Sequence, residues 1–507
     1  HYDSPKADLD YLEATRKADS SKKSLYIIDE VHNFIRNVHS NLSSSAGKRA
    51  LSIYEAIIQE KRKNPDVRIV CLTATPIINI PFELGLLFNL LRPGIFPSSE
   101  QEFDQLYVSR SAYPTISHNK NMFQRNILGL VSYYIGATPD LYASKEIFYI
   151  DLKMSAYQSE LYSYFQDIEA KIQAATKHRR KGGSQVYRSY TRQACNFVFP
   201  ALSQKLTGEE RPRPGKHRLT EREAEKVDEG KHRLKLVKGT TKFLDVQRYT
   251  KALEDYTSGF RDWLRKKRED DKKKGVSLAK DVETFRETYK GDFELFFEKA
   301  KKSSLFEALY TCSAKMTRIC FYLVTSPGSA TVYSNYVLME GLQILKYYLH
   351  QFGFQPVVRG SKKTVPKGYG YLEYHGGITD KETRHWSLKY FNQPDNRHGN
   401  LAKVILISPA GTEGINLRNC RQVHIMEPHW NETRISQMIG RARRQCSHSD
   451  LPMDERTVTV FRYKVLTKKG AQTTDHYIEE LAKDKDTLIQ SFLDTLKESA
   501  IDCTLNK

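Results

Sequence analysis

The stretch that most constrains this chain is Ser24-Leu25-Tyr26-Ile27-Ile28-Asp29-Glu30-Val31-His32, an apolar run that stops on two adjacent carboxylates and a histidine. A run of aliphatic and aromatic residues suits a strand covered on both faces, as in a parallel sheet. Ligands of such sheets sit beyond the carboxyl ends of the strands, so Asp29 and Glu30 are placed to face one. Two acids there suit nucleotide hydrolysis, in which one carboxylate holds Mg²⁺, usually through water, and the next orients or deprotonates the attacking water. Taken alone, the stretch fits a purely structural strand end equally well.

At 507 residues the chain is too long for one core, and two or three domains are expected. Its 80 Lys+Arg against 60 Asp+Glu give a net charge of +20, which suggests a polyanion partner; an anionic membrane surface or plain solubility also fits. The cysteines (Cys71, Cys195, Cys312, Cys320, Cys420, Cys446, Cys503) form no CxxC pair and read as reduced thiols rather than a zinc site or disulfide framework. No apolar run reaches the ~18 residues of a membrane span, so an intracellular protein with no membrane partner is expected. The chain opens on His1, and so early an acidic strand end leads us to expect a segment before it.

Further along, apolar spacing at Leu51, Ile53, Tyr54, Ile57 and Ile58 predicts a helix over Lys48 to Lys63. Val67 to Leu72 reads as a second buried strand, ending in Thr73-Ala74-Thr75-Pro76. Small hydroxylated residues at a strand end make a polar turn able to bond a neighbouring acidic loop, although an ordinary turn has the same composition. Pro81 to Leu91 is a packed helix stopped at Arg92-Pro93-Gly94, and Ile127 to Ile135 and Ile147 to Leu152 are strand or helix candidates. The first lobe is expected to end near residue 150.

From there to about 302 the character changes. Lys171 to Lys280 holds 30 Lys+Arg against 14 Asp+Glu, which is most of the chain's excess charge. Its basic runs include Lys177, Arg179, Arg180 and Lys181, and Arg265, Lys266, Lys267 and Arg268. Tyr187, Tyr190, Phe197, Phe199, Tyr256 and Trp263 are interleaved with them. Basic runs bind phosphates and aromatic neighbours stack on open bases, so nucleic-acid contact is expected here; a solvated insertion is the alternative. Gly208 to Gly230 reads as a flexible loop.

A second lobe is expected over 303–470, with strands at Ala330 to Ser334, Tyr371 to Tyr374, Lys403 to Ser408, Gln422 to Met426 and Arg456 to Tyr463, and a helix over Val337 to Phe352. Gly411-Thr412-Glu413-Gly414-Ile415-Asn416-Leu417 lies between two of these strands. Glu432 to Gln445 reads as a helix carrying Gln437, Gly440, Arg441, Arg443 and Arg444, and Thr473 to Lys497 as an amphipathic helical tail within 471–507. Alternating strands and helices again mean a parallel α/β lobe.

In this order the pieces resemble the motor core of superfamily 2 helicases and translocases. Asp29-Glu30-Val31-His32 resembles the Walker B box, motif II, and Thr73-Ala74-Thr75 resembles motif III. Gly411 to Leu417 resembles motif V, and Gln437 to Arg444 resembles motif VI, with Arg441 and Arg444 one helical turn apart. The wording of Asp29 to Asn33, Pro81-Phe82-Glu83-Leu84, Glu427 to Asn431 and Gly440 to Arg444 is similar to the Swi/Snf-like ATPases of poxviruses and other large cytoplasmic DNA viruses.

That resemblance implies two RecA-like parallel-sheet lobes, the first incomplete at its N-terminus, with a basic, mainly helical insertion between them. It implies an ATP- and Mg²⁺-dependent motor on duplex DNA, working with viral RNA polymerase or transcription factor subunits in the host cytoplasm and the virion; a strand-separating helicase and a catalytically inactive motor-fold subunit are the alternatives. Glu30, Arg441 and Arg444 would be catalytic, and Asp29 would support the metal. His32, Gly411, Gly414, Asn416, Gln437 and Gly440 would line the nucleotide, Thr73 and Thr75 would couple hydrolysis to movement, and Thr412 would join the basic runs on nucleic acid. One departure stands out: no G-x-x-x-x-G-K-[ST] phosphate loop is present, and in the family that loop lies upstream of motif II, so the resemblance implies that it would precede His1.

Overall fold

The computed structural model describes residues 24–42, 47–109, 119–133, 139–177, 188–219, 240–337, 339–361, 365–375, 380–409 and 415–503. The chain divides into two compact units, one made of residues 1–136, 430–433 and 480–507, the other of 137–429 and 434–479.

In the first unit, β1 (Leu25–Asp29) and β2 (Arg68–Leu72) pair in parallel, with Asp29 opposite Leu72. Tyr26, Ile28, Ile69 and Cys71 point to a helical layer whose core includes Val31, Phe34, Ile35, Tyr54, Ile57, Phe82, Leu84 and Phe103. The opposite face is open: Leu25 and Ile27 are 60% and 64% exposed, and Val70 and Leu72 44% and 49%. The expectation of cover on both faces therefore does not hold for this pair within the described residues.

The helices Arg49–Lys63 and Phe82–Leu91 form where their spacing predicts. Val31–Leu42 is a helix that the polar composition after His32 obscured, although Val31, Phe34, Ile35 and Val38 recur at helical spacing. Lys120–Ile127 is helical and 128–133 irregular, so the expected element does not form there; residues 134 and 135 lie outside the described residues. The C-terminal helix, Thr474–Glu498, belongs to the first unit from residue 480 onward. There Ile489, Phe492 and Leu496 enter the core, and the Phe492 ring lies 5.5 Å from Phe123 and 6.3 Å from Phe103. The expected tail is in this sense a core element.

The second unit holds a seven-stranded sheet in the order β3-β9-β8-β4-β7-β6-β5, with every pair parallel. The strands are β3 (Ser144–Lys153), β4 (Ser329–Tyr333), β5 (Gln355–Pro356), β6 (Gly370–Tyr374), β7 (Val404–Ile407), β8 (Cys420–Ile425) and β9 (Thr457–Leu466). Every residue of β4 and β7 is buried, as a central strand covered on both faces requires. The α/β class and the parallel second lobe stand as expected.

Two boundaries move. The strand expected near residue 150 does not close the first lobe; it is β3, paired along ten positions with β9 in the second sheet. The basic segment, with the helices Ala156–Lys177, Ser189–Asn196 and Thr241–Lys273, belongs to the second unit and shares one core with its sheet. Buried polar contacts fasten it there. Lys315 Nζ lies 2.6 Å from Asp475 and donates to Asn196 Oδ1, while Asn196 Nδ2 donates to Glu427, just past β8.

Residues 208–219, half of the expected flexible loop, are likewise anchored. Arg211 forms a buried, bidentate ion pair with Glu340. The other half, from residue 220, lies outside the described residues.

Candidate active site and nucleic-acid surface

At the end of β1 the backbone turns sharply into the Val31–Leu42 helix. Glu30, at the turn, has φ +49°, a left-handed conformation that costs a non-glycine residue energy. Three local bonds hold it: the Glu30 amide donates to Asp29 Oδ1 at 2.9 Å, the Asn33 amide donates to the Glu30 carbonyl at 2.9 Å, and Glu30 Oε2 lies 3.3 Å from His32 Nδ1. The result is a pair of exposed carboxylates on a fixed turn.

His32 is buried, at 6% exposure, and its Nδ1 meets Thr73 Oγ1 at 2.8 Å. Thr73 Oγ1 also accepts from the Thr75 amide at 3.1 Å, which shapes the turn after β2. The sequence placed His32 on the nucleotide and Thr73 and Thr75 in coupling; the structure joins the acidic turn to the threonine turn through His32 itself. A bond from the threonine turn to the acidic loop was expected from the sequence; that His32, 41 positions away, makes it was not. The parallel register, which sets Asp29 beside Leu72, brings them together.

Mg²⁺ suits this donor set. It takes oxygen ligands and keeps several waters, and Asp29 presents an exposed carboxylate with one oxygen fixed by a backbone amide. No group of three or more His, Cys, Asp or Glu side chains placed to hold a metal occurs among the described residues.

In the second unit, Gly411, Thr412 and Gly414 lie outside the described residues. Asn416 follows them, held by its carbonyl, which accepts from Asn392 Nδ2 at 2.7 Å. The Leu417 amide donates to the Arg441 carbonyl at 3.0 Å, so the loop and the arginine helix are joined. That helix runs Glu432–Ala442 and is shorter than expected: Arg441 is on it, but Arg444 lies beyond its end and does not share its face by helical spacing.

The three arginines differ in their surroundings. Arg443 Nε donates to the Ala143 carbonyl at 2.6 Å and the guanidinium sits 5.3 Å from the Tyr142 ring centre, a packing role. Arg441 is half-buried and Arg444 exposed. Gln437 is half-buried, and a side-chain carbon added at the exposed Gly440 would meet nothing within 4 Å.

Of the basic runs, Arg179, Arg180 and Lys181 lie outside the described residues, and Lys177 ends a helix. Arg265, Lys266 and Arg268 are exposed on the long Thr241–Lys273 helix. The interleaved aromatic residues do not form a stacking surface. Phe197, Phe199 and Tyr256 are buried core residues, Tyr190 is packed against the same core, and Trp263 is flanked by Phe260 and Lys267. Burial of large apolar rings outweighs any use of them on bases here; Tyr187 lies outside the described residues.

The SNF2-related domain family matches residues 12–198, and the helicase conserved C-terminal domain family matches residues 315–446. A protein of Acanthamoeba polyphaga mimivirus that carries the name ATP-dependent RNA helicase is 48% identical over all of this chain. Nucleoside triphosphatase I of Melanoplus sanguinipes entomopoxvirus is 25% identical over 94% of it. This chain spans 62% of the length of each of these two relatives. A solved structure of the C-terminal part of the Fun30 ATPase domain overlaps 72% of this chain and 99% of its own at 14% identity, with a TM-score of 0.34. Residues 12–198 and 315–446 thus match an SNF2-related domain and a helicase conserved C-terminal domain, the domain pair of a helicase-like ATPase.

Proposed function

We propose that this chain carries the hydrolytic and arginine-bearing parts of an ATP-driven motor that moves on nucleic acid, duplex DNA by preference. The observation that carries the reading is the Glu30 turn, in which two exposed carboxylates are fixed on a strained backbone and wired through His32 to Thr73. Strain of that kind persists where the surroundings over-determine it, commonly at functional sites.

In this reading Asp29 would hold Mg²⁺ and Glu30 would align the attacking water. Bound Mg²⁺ neutralises phosphate charge. Arg441 and Arg444 stabilise the charge that develops on the γ-phosphate as it leaves. His32 and Thr73 pass the state of the acidic turn to the turn after β2. The exposed arginines and lysines of the Thr241–Lys273 helix hold the polyanion by charge alone. Partners among transcription subunits, and a place in the host cytoplasm and the virion, belong to the same proposal.

The test is phosphate release by the full-length protein with no nucleic acid, duplex DNA, single-stranded DNA or RNA. Stimulation by duplex DNA without strand separation supports a translocase. Unwinding of a tailed duplex would replace it with a helicase, and RNA-selective stimulation would shift the substrate toward the one named for the mimivirus relative. Absence of hydrolysis under every condition would overturn the motor reading.

A further inference from the structure

A nucleic-acid strand is held without sequence preference when cations meet its phosphates and open aromatic faces meet its bases. The basic helices of the second unit offer the first and, with their rings in the core, lack the second. Both occur together elsewhere in that unit, on the Lys381–Phe391 helix.

Asp380 caps that helix by accepting from the amides of Glu382 and Thr383. Lys381, His385 and Lys389, spaced four apart, and Trp386 follow one another along one side. Together with Arg359 and Glu382 they line a groove of about 430 Å³. The Trp386 ring lies 5.0 Å from Tyr390, tilted by 30°, and both are half-buried against the sheet's core, which restricts the indole. Three permanent cations, Arg359, Lys381 and Lys389, stand against two carboxylates, Glu382 in the groove and Asp380 at the helix cap. Glu382 meets Arg359 at 3.0 Å, but both are exposed, at 77% and 47%, and such a pair contributes little.

We propose that this groove is a single-strand subsite: Trp386 stacks on a base while Lys381, Lys389 and Arg359 hold the flanking phosphates. The charge balance favours a polyanion, and the rigid indole favours one that carries bases. The subsite goes beyond the motor reading, because it requires neither hydrolysis nor the acidic turn.

The test is binding of a fluorescent oligothymidylate of about twelve nucleotides to the full-length protein without ATP, over a range of salt. The Lys381→Glu, Lys389→Glu double variant should bind about tenfold or more weakly, with a salt slope smaller by about one to two. Trp386→Ala should weaken binding about tenfold while Trp386→Phe keeps most of it, since a phenyl ring still stacks. A bromouracil in the oligonucleotide should crosslink to the peptide containing Trp386. Thermal melting of each variant separates lost binding from lost folding.

Unchanged affinity and slope in a folded double variant would overturn the subsite. So would equal weakening of poly-glutamate and oligothymidylate by Trp386→Ala, because stacking has no meaning for a peptide of carboxylates. If hydrolysis were absent under every condition but these shifts appeared, the motor reading would fall and the subsite would stand.

Discussion

The two parallel sheets are built from similar words, Leu-Tyr-Ile-Ile-Asp and Arg-Ile-Val-Cys-Leu in one, Ser-Ala-Thr-Val-Tyr and Val-Ile-Leu-Ile in the other, yet they live in different surroundings. In the seven-stranded sheet β4 and β7 are buried throughout, and the strands are the core. In the two-stranded sheet alternate residues stay open, and the core is the helical layer beneath. The second sheet contributes stability through its strands; the first contributes a platform on which Asp29, Glu30 and Thr73 are displayed.

If that contrast is right, the first unit depends most on its helical side. Phe492→Ala removes a ring stacked on Phe103 and edge-on to Phe123 and should cost ~3–5 kcal/mol. Denaturant unfolding, resolved between the units by hydrogen exchange, reads the loss; protection should fall in the first unit. Ile405→Ala, fully buried in β7, should cost ~2–5 kcal/mol in the second. A comparable loss from Ile27→Ala would break the contrast.

The buried sheet should also carry a pH signature. His424 in β8 is fully buried between Tyr463 (2.8 Å) and Gln422 (3.1 Å), and burial pushes its imidazole down to about 3. An unfolded chain takes up that proton near pH 6.5 while the folded chain does not. Stability should therefore fall as the pH drops from about 6.5 toward 3, by up to ~1.4 kcal/mol per pH unit. His424→Gln should flatten the slope in urea titrations.

The smallest effect belongs to the open face. Ile27→Ala at 64% exposure should change stability by no more than ~0.5 kcal/mol.

What the sequence conveyed follows from the same contrast. Strand positions, the acidic tip and the threonine turn were legible because apolar runs and their polar ends are local signals. The partner of β3 was not: ten residues from Ser144 to Lys153 carry no mark of whether they join the strands before or after them. The basic segment misled in a similar way, since Phe197, Phe199 and Tyr256 look like stacking residues beside lysines until a third dimension buries them. The His32–Thr73 bond is a product of register, which single-strand patterns do not contain. Arg444 falls past its helix end, where only the observed geometry separates it from Arg443.

The central claim is that the Glu30 turn is the hydrolytic half of a nucleotide site. Its most direct measurement is single-turnover phosphate release by the Glu30→Gln variant of the full-length protein, alongside nucleotide binding by the same sample. ATP should still bind while release falls by ~10²–10⁴-fold. Release at the wild-type rate would contradict it.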